Sequence, residues 1–226
     1  MIPIRYDTVI ALFVRQPIAG QVKTRLAHGI GDDDACELYR AMVADRIAQI
    51  KTCGLPLFLF HDGQDAVGLP NEWVLAADEV FRQEGHSLGD RMAAAFERSF
   101  SAGAGKVILA GSDIPGIDDE LLRSAAAAVE NHDVVFSPAF DGGYCLVASR
   151  RDRFNRIIFD GIPWSTALVM GQTIEVCTAR GLSYALLDPR QDIDTMDDLA
   201  DYCRNPSESA PATNAWLRSR GLLKSP

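Results

Sequence analysis

The stretch from Lys106 to Pro115, Lys-Val-Ile-Leu-Ala-Gly-Ser-Asp-Ile-Pro, constrains the fold more than any other. Lys106 to Ala110 read as a strand with an unbroken apolar centre. Such a run suits a strand covered on both faces, as in a parallel sheet. Gly111 then frees the backbone, Pro115 and Gly116 stop the strand, and Asp118 is placed to cap a following helix. Asp113 falls just beyond the strand's carboxyl end, where open α/β sheets bind their ligands. A carboxylate on such a rigid mount can hold a divalent cation against phosphate oxygens. Taken alone, the same residue serves equally well as a loop or capping residue.

Around this stretch, apolar strand-like and helix-like segments alternate. Thr8 to Val14 predicts a first buried strand, and Arg15 to Gly31 a loop. A helix starts at Asp32–Asp34 and buries Ala35, Leu38, Tyr39, Met42, Val43, Ile47 and Ile50 at helical spacing. Leu55 to His61 is the second strand, and Trp73 to Ala77 reads as a short strand. Ser87 with Asp90 forms a capping-box pattern opening a helix that buries Leu88, Met92, Ala95, Phe96 and Phe100. Further helices are expected over 118–130, 166–180 and 195–204, and further strands over 133–137, 144–148 and 183–187. This alternation predicts a single three-layer α/β/α domain over residues 1–204 with a mainly parallel sheet. Residues 205–226, rich in Ser, Pro and Ala, are expected to form an irregular tail in which Trp216 and Leu217 dock a short helical piece.

Charge and cysteines narrow the function. A net charge of −9 argues against broad binding to nucleic acid or an anionic membrane. The 5 cysteines are scattered and form no Cys-x-x-Cys pair, as expected of reduced, mostly buried thiols in a cytoplasmic protein without a zinc site. The 4 histidines show no metal-ligand spacing and are expected at surfaces or turns.

Candidate chemistry sits in several loops. The loop after the first strand carries Arg15, Lys23 and Arg25 with Gly20, Gly29 and Gly31, and phosphates need such cations and free N–H groups. Gly20 to Thr24 resembles a P-loop ending, but Pro17 and Ile18 stand where a glycine belongs, which excludes a P-loop kinase. Asp141-Gly-Gly-Tyr144 reads either as a hairpin turn or as a site where Asp141 acts as base or ligand. In this second reading Gly142 and Gly143 let an acceptor approach the backbone. Asp192 and Asp194, two apart in an extended segment, point the same way and can complete a metal site begun by Asp113. Trp164 can stack on a sugar or base, Ser165 can hold a ligand or cap the next helix, and Gln83 and Arg91 can read a base or a phosphate.

Six motifs occur in one order: residues 13–26, Leu88-Gly-Asp-Arg-Met92, Gly111-Ser-Asp-Ile-Pro115, Asp141-Gly-Gly-Tyr144, Ile162-Pro-Trp-Ser-Thr166 and Asp192-Ile-Asp-Thr195. As a set, spanning residues 8–203, they resemble the bacterial family of nucleotide-diphospho-sugar transferases, some of whose members are labelled arsenosugar-biosynthesis glycosyltransferases. The resemblance implies the GT-A glycosyltransferase fold, shared with molybdopterin and phospholactate guanylyltransferase-like enzymes. It implies that the loop with Arg15, Lys23 and Arg25, in which Gly20 also lies, holds the nucleotide phosphates, with Gln83 and Arg91 kept as nucleotide candidates on the reading above, and that Asp113, with Asp194, holds Mg²⁺ or Mn²⁺. It puts Asp141, Gly142, Gly143, Tyr144, Trp164 and Ser165 on the acceptor or sugar side. The partners it implies are a nucleotide sugar or nucleoside triphosphate and a small acceptor; a homodimer is compatible with it. One departure keeps two reactions open. Many GT-A glycosyltransferases carry Asp-x-Asp at the metal position, whereas residues 111–113 are Gly-Ser-Asp. Glycosyl transfer and nucleotidyl transfer both remain, beside a nucleotide-binding regulatory protein without turnover.

Overall fold

The structure, a computed structural model, describes residues 3–224. Strand β1 (Tyr6–Val14) leads through a short helix α1 (Thr24–Ile30) and a long helix α2 (Asp32–Cys53) to β2 (Leu57–His61). Helix α3 (Asn71–Ala76), β3 (Glu79–Arg82), α4 (Leu88–Ser101) and β4 (Ala104–Gly111) follow. Then come α5 (Asp119–Ala128), β5 (Val134–Pro138), β6 (Tyr144–Arg150), α6 (Val169–Ala179), β7 (Tyr184–Leu186), α7 (Met196–Arg204) and α8 (Pro211–Ser219). The strands form one seven-stranded sheet in the order β3-β2-β1-β4-β6-β5-β7. All neighbours are parallel except β6, which runs antiparallel to both β4 and β5.

The sheet separates two apolar layers. In β1, Ile10, Leu12 and Val14 enter the layer with α2, α5 and α7, while Val9 and Ala11 enter the layer with α4 and α6. In β4, Ile108 and Ala110 face the first layer, and Val107 and Leu109 the second. Burial on both faces is why these strands are apolar without interruption. The predicted three-layer α/β/α arrangement with a mainly parallel sheet is the observed one.

Local rules also hold at helix ends. The Ser87–Asp90 capping box opens α4, Asp118 accepts from Leu121 N at 2.8 Å at the start of α5, and Thr195 with Asp198 boxes α7. The predicted stripe of α2 is buried throughout. All 5 cysteines are free thiols, and only Cys203 is not fully buried.

Several expectations are corrected. Of residues 73–77, expected as a strand, 73–76 belong to helix α3 and Ala77 caps its end; Trp73 anchors the helix by packing edge-on against Tyr39 at 6.3 Å. Six residues are too few to display a helical period. The loop over 15–31 contains α1, in which Gly29 is required because a Cβ there would lie 2.3 Å from Met196. Leu88, expected in the core, is 40% exposed because it is the first residue of α4. His61 is buried at the end of β2 rather than at a surface. The tail is more ordered than its composition suggests. Asp45 of α2 accepts from Ala212 N and Thr213 N, both at 2.7 Å, Pro211 occupies the first turn of α8, and Leu217 is buried.

Candidate active site

The carboxyl ends of β1, β2 and β4 and the amino end of the antiparallel β6 border a cavity of about 620 Å³. Its mouth is organised by side chains that tie the strand ends together. Arg15 N donates to the Tyr39 hydroxyl at 2.8 Å, and that hydroxyl lies 3.1 Å from Ser112 Oγ, beside Asp113. Burial keeps the Tyr39 phenol protonated, well above its ordinary range. Asp62, just past β2, accepts from Gln16 N at 2.9 Å and from Arg15 Nε at 3.1 Å. Gln83 Nε2 donates to the Val14 and Phe60 carbonyls at 3.2 and 3.0 Å, so its amide nitrogen staples the strand ends.

The loop carrying Asp113 is fixed from behind. Arg46 of α2, fully buried, donates to the carbonyls of Ile114 and Ile117. Arg190 Nε donates to Gly116 O at 2.7 Å, and Ser209 Oγ to Pro115 O at 3.2 Å. Four consecutive residues after Asp113 are thereby constrained, a supporting shell of the kind a positioned carboxylate needs.

Lys23 is the centre of the charge arrangement. It sits at the start of α1 with φ 49°, left-handed for a non-glycine residue. Its side chain is 3% exposed. Nζ lies 2.8 Å from Asp113 Oδ2 and 3.3 Å from Asp194 Oδ1, and Arg25 holds the other Asp194 oxygen at 2.9 Å. Burial alone would raise the Asp113 carboxyl, but the Lys23 ammonium overrides it and holds Asp113 below the ordinary carboxylate range. Burial would likewise depress Lys23, and Asp113 and Asp194 raise it instead, so the pair is fully ionised. Asp192 behaves differently. Burial, and then the like charge of Asp113, push its carboxyl up to about 6.

The acceptor-side motif is shaped by close contact. Asp141 Oδ1 accepts from Gly143 N at 2.8 Å, closing the turn between β5 and β6. Gly142 has φ 90°, and a Cβ there would lie 2.3 Å from the Ala167 carbonyl. Trp164 stands edge-on to Tyr144 at 6.2 Å, and Gly89 makes room for its indole. Ser165, with φ 63°, borders the cavity but does not cap α6, which begins only at Val169.

Of the predicted residues, Arg15, Gln83, Arg91, Asp113, Asp141, Gly143, Tyr144, Trp164 and Ser165 line the cavity. Lys23, Arg25 and Asp194 do not line it: Lys23 pairs with Asp113 from behind and with Asp194, and Arg25 touches only Asp194. Gly20 and Gly142 are not on the wall; Gly20 lies in the turn facing Asp32, and Gly142 supports the turn from outside. Tyr39, Asp62 and Ser112 were not foreseen. Tyr39 was read only as a core position, and no local spacing links residues 39, 62 and 112.

Among the described residues, no group of three or more His, Cys, Asp or Glu side chains is arranged to hold a metal by itself. Asp113 and Asp192 nevertheless both line the cavity, close enough that burial and then the Asp113 charge raise the Asp192 carboxyl. Two hard oxygen donors fit a divalent cation that takes its other ligands from phosphates and water. Asp194, whose oxygens are held by Lys23 and Arg25, fits a supporting part better.

The family model described as "Uncharacterized protein conserved in bacteria (DUF2064)" matches residues 44–166. A crystal structure of a "putative nucleotide-diphospho-sugar transferase" from Desulfovibrio desulfuricans G20 superposes with a TM-score of 0.87 at 34% identity, covering 97% of this chain and 100% of that one. More distant likenesses show the fold alone. CMP:2-keto-3-deoxy-manno-octonic acid synthetase complexed with CTP has a TM-score of 0.54 at 11% identity, over 86% of this chain and 96% of that one. The 4-diphosphocytidyl-2C-methyl-D-erythritol synthase of Anaerococcus prevotii DSM 20548 has a TM-score of 0.54 at 8% identity, over 84% and 94%. No protein with a curated description matches the sequence. With the match over residues 44–166 and the likeness along nearly its whole length, the chain belongs to the DUF2064 family and has the nucleotide-diphospho-sugar transferase fold.

Proposed function

We propose that the protein transfers a glycosyl group from a nucleotide-diphospho-sugar to a small acceptor. The observation that carries this reading is the pair of buried Lys23 and Asp113 at the end of β4, of which Asp113 lines the cavity. A diphosphate needs positive charge in a partly dehydrated setting, and Lys23, Arg25 and Arg15 supply it from one loop. Lys23 spends two donors on carboxylates and has a third for a phosphate oxygen. Asp113 and Asp192 would hold Mg²⁺ or Mn²⁺, which when bound neutralises charge on the diphosphate.

The acceptor hydroxyl oxygen attacks the anomeric carbon, and the bond from that carbon to the diphosphate oxygen breaks. The bonding pair leaves with the nucleoside diphosphate. Asp141, which lines the cavity, takes the hydroxyl proton. Trp164 and Ser165 border the space where sugar and acceptor meet.

Nucleotidyl transfer is the second reading. It is favoured by one observation, the lone carboxylate of Gly111-Ser-Asp113 at the strand end. In that reaction a substrate phosphate attacks the α-phosphorus and pyrophosphate leaves. Incubating the protein with nucleotide sugars or nucleoside triphosphates, with Mn²⁺ and pooled small alcohols or sugar phosphates, separates the readings. Release of nucleoside diphosphate supports glycosyl transfer, and release of pyrophosphate the alternative. Binding without either product would leave a regulatory nucleotide binder.

A further inference from the structure

The cavity has two chemically different halves. Its rim near β1 and β2 is polar, with Arg15, Asp62 and Gln83. Toward α4 and α6 it descends into the second apolar layer. There the sheet residues Phe13, Leu109 and Val147 form a floor, and Met92, Trp164 and Val169 form walls. None of these six side chains offers a hydrogen bond except the Trp164 indole N–H. A ligand lying on this floor meets apolar surface, and its polar groups find partners only among the other residues that line the cavity, Tyr144, Ser165 and Thr166 among them, so the floor itself favours an apolar body. The surroundings continue the theme. Leu88, 40% exposed, also lines the cavity, and Phe140 on the β5–β6 turn and Leu168 in the segment packed against that turn are exposed apolar side chains.

One cation borders this apolar region, besides the Asp141 carboxylate that also lines the cavity. Arg91, one turn into α4 and between Leu88 and Met92 in sequence, lines the cavity. Its guanidinium makes no ion pair or hydrogen bond among the described residues. Arg15, the other arginine on the cavity wall, is already paired with Asp62 at 3.1 Å.

We propose that this chamber receives the acceptor, and that the acceptor is amphipathic: an apolar body of about the size of one ring or a short alkyl chain, with one anionic group that pairs with Arg91. This inference rests on the transferase reading for the word acceptor, but the ligand class follows from the chamber alone. It excludes a highly hydroxylated acceptor such as an unsubstituted sugar phosphate.

The test uses binding of simple probes to the full chain, followed by ligand-observed NMR. The probes are 3-phenylpropionate, its neutral alcohol 3-phenylpropan-1-ol, and glycerol phosphate. The expected order is 3-phenylpropionate tightest and glycerol phosphate weakest. Arg91→Met should weaken 3-phenylpropionate about tenfold and leave the alcohol unchanged. Met92→Trp should fill the chamber and exclude both apolar probes while nucleoside diphosphate still binds. Leu88→Ser, at a partly exposed position where the fold is not at stake, should weaken both apolar probes. Glycerol phosphate binding more tightly than 3-phenylpropionate would overturn the proposal. So would competition between a nucleoside diphosphate and 3-phenylpropionate, because the base would then occupy the chamber. Binding of 3-phenylpropionate as expected with no nucleotide binding would support the ligand class and defeat the transferase reading instead.

Discussion

Strand β4 carries a cluster of opposite charges at each end, and the two clusters are built for different purposes. At its amino end Lys106 meets Asp7 at 3.2 Å and Glu130, while Arg150 meets Glu130 at 3.0 Å and Asp152 at 2.8 Å. The acids of this cluster are largely exposed, and each is lowered by a cationic partner. At the carboxyl end Lys23 is buried, Asp113 and Asp194 share it, and Asp192 stands beside them with its carboxyl pushed up to about 6. The first cluster satisfies its own charges in water, where such pairs are worth little. In the second, Asp192 makes no ion pair among the described residues and borders a cavity, in a setting where charge is costly. The net charge, two cations against three carboxylates, is the same at both ends; a carboxylate left without a cation at a cavity wall is what sets the carboxyl end apart.

The comparison breaks most visibly at Asp113. Asp113→Asn should lower turnover about 10²- to 10³-fold with the fold retained, measured by nucleoside diphosphate release alongside circular dichroism. A variant with full turnover would reduce the carboxyl-end cluster to a structural one like its counterpart. Lys23→Met should come next. It leaves several carboxylates facing one another and should cost about 3 kcal/mol of stability at pH 7, read by denaturant unfolding, as well as weaken nucleotide binding in calorimetry. Gly142→Ala should cost about 2 kcal/mol, because the added methyl meets the Ala167 carbonyl in a left-handed backbone, and should impair turnover by shifting Asp141.

The pH dependence sharpens the contrast. Between about pH 4 and pH 6 the folded chain keeps a proton on Asp192 that the unfolded chain has released. Wild-type stability from this group therefore falls as pH rises through that window. Asp192→Asn should match wild type near pH 4 and melt at higher temperature above pH 6. At the amino end the sign is opposite, since Asp7 is lowered and its contribution is lost as pH falls. The smallest effect is expected there: Asp7→Asn should move the melting temperature by under about 2 °C and leave nucleotide binding unchanged.

Much of this could be read in the sequence because single segments carry their own rules. β1 and β4 announce burial on both faces, and the box at Ser87 fixes the start of α4. Lys23 joins Asp113 and Asp194 only through the family resemblance of the motifs that carry them, and its side chain does touch both. What could not be read depends on distant partners. α8 is held by Asp45, far away in α2, so the composition of residues 205–226 alone suggested an irregular tail. α3 is decided by the Trp73–Tyr39 contact rather than by its own period. Asp192 and Asp194 look equivalent in Asp192-Ile-Asp194, and only the position of Arg25 separates the one that is tied down from the one that borders the cavity.

The most direct test is a crystal structure with a nucleoside diphosphate and Mn²⁺, with anomalous scattering used to locate the metal. The account predicts a manganese peak beside the Asp113 carboxylate and a diphosphate within hydrogen-bonding reach of Lys23. A diphosphate bound away from Asp113, with the Lys23–Asp113 pair facing only protein, would contradict it.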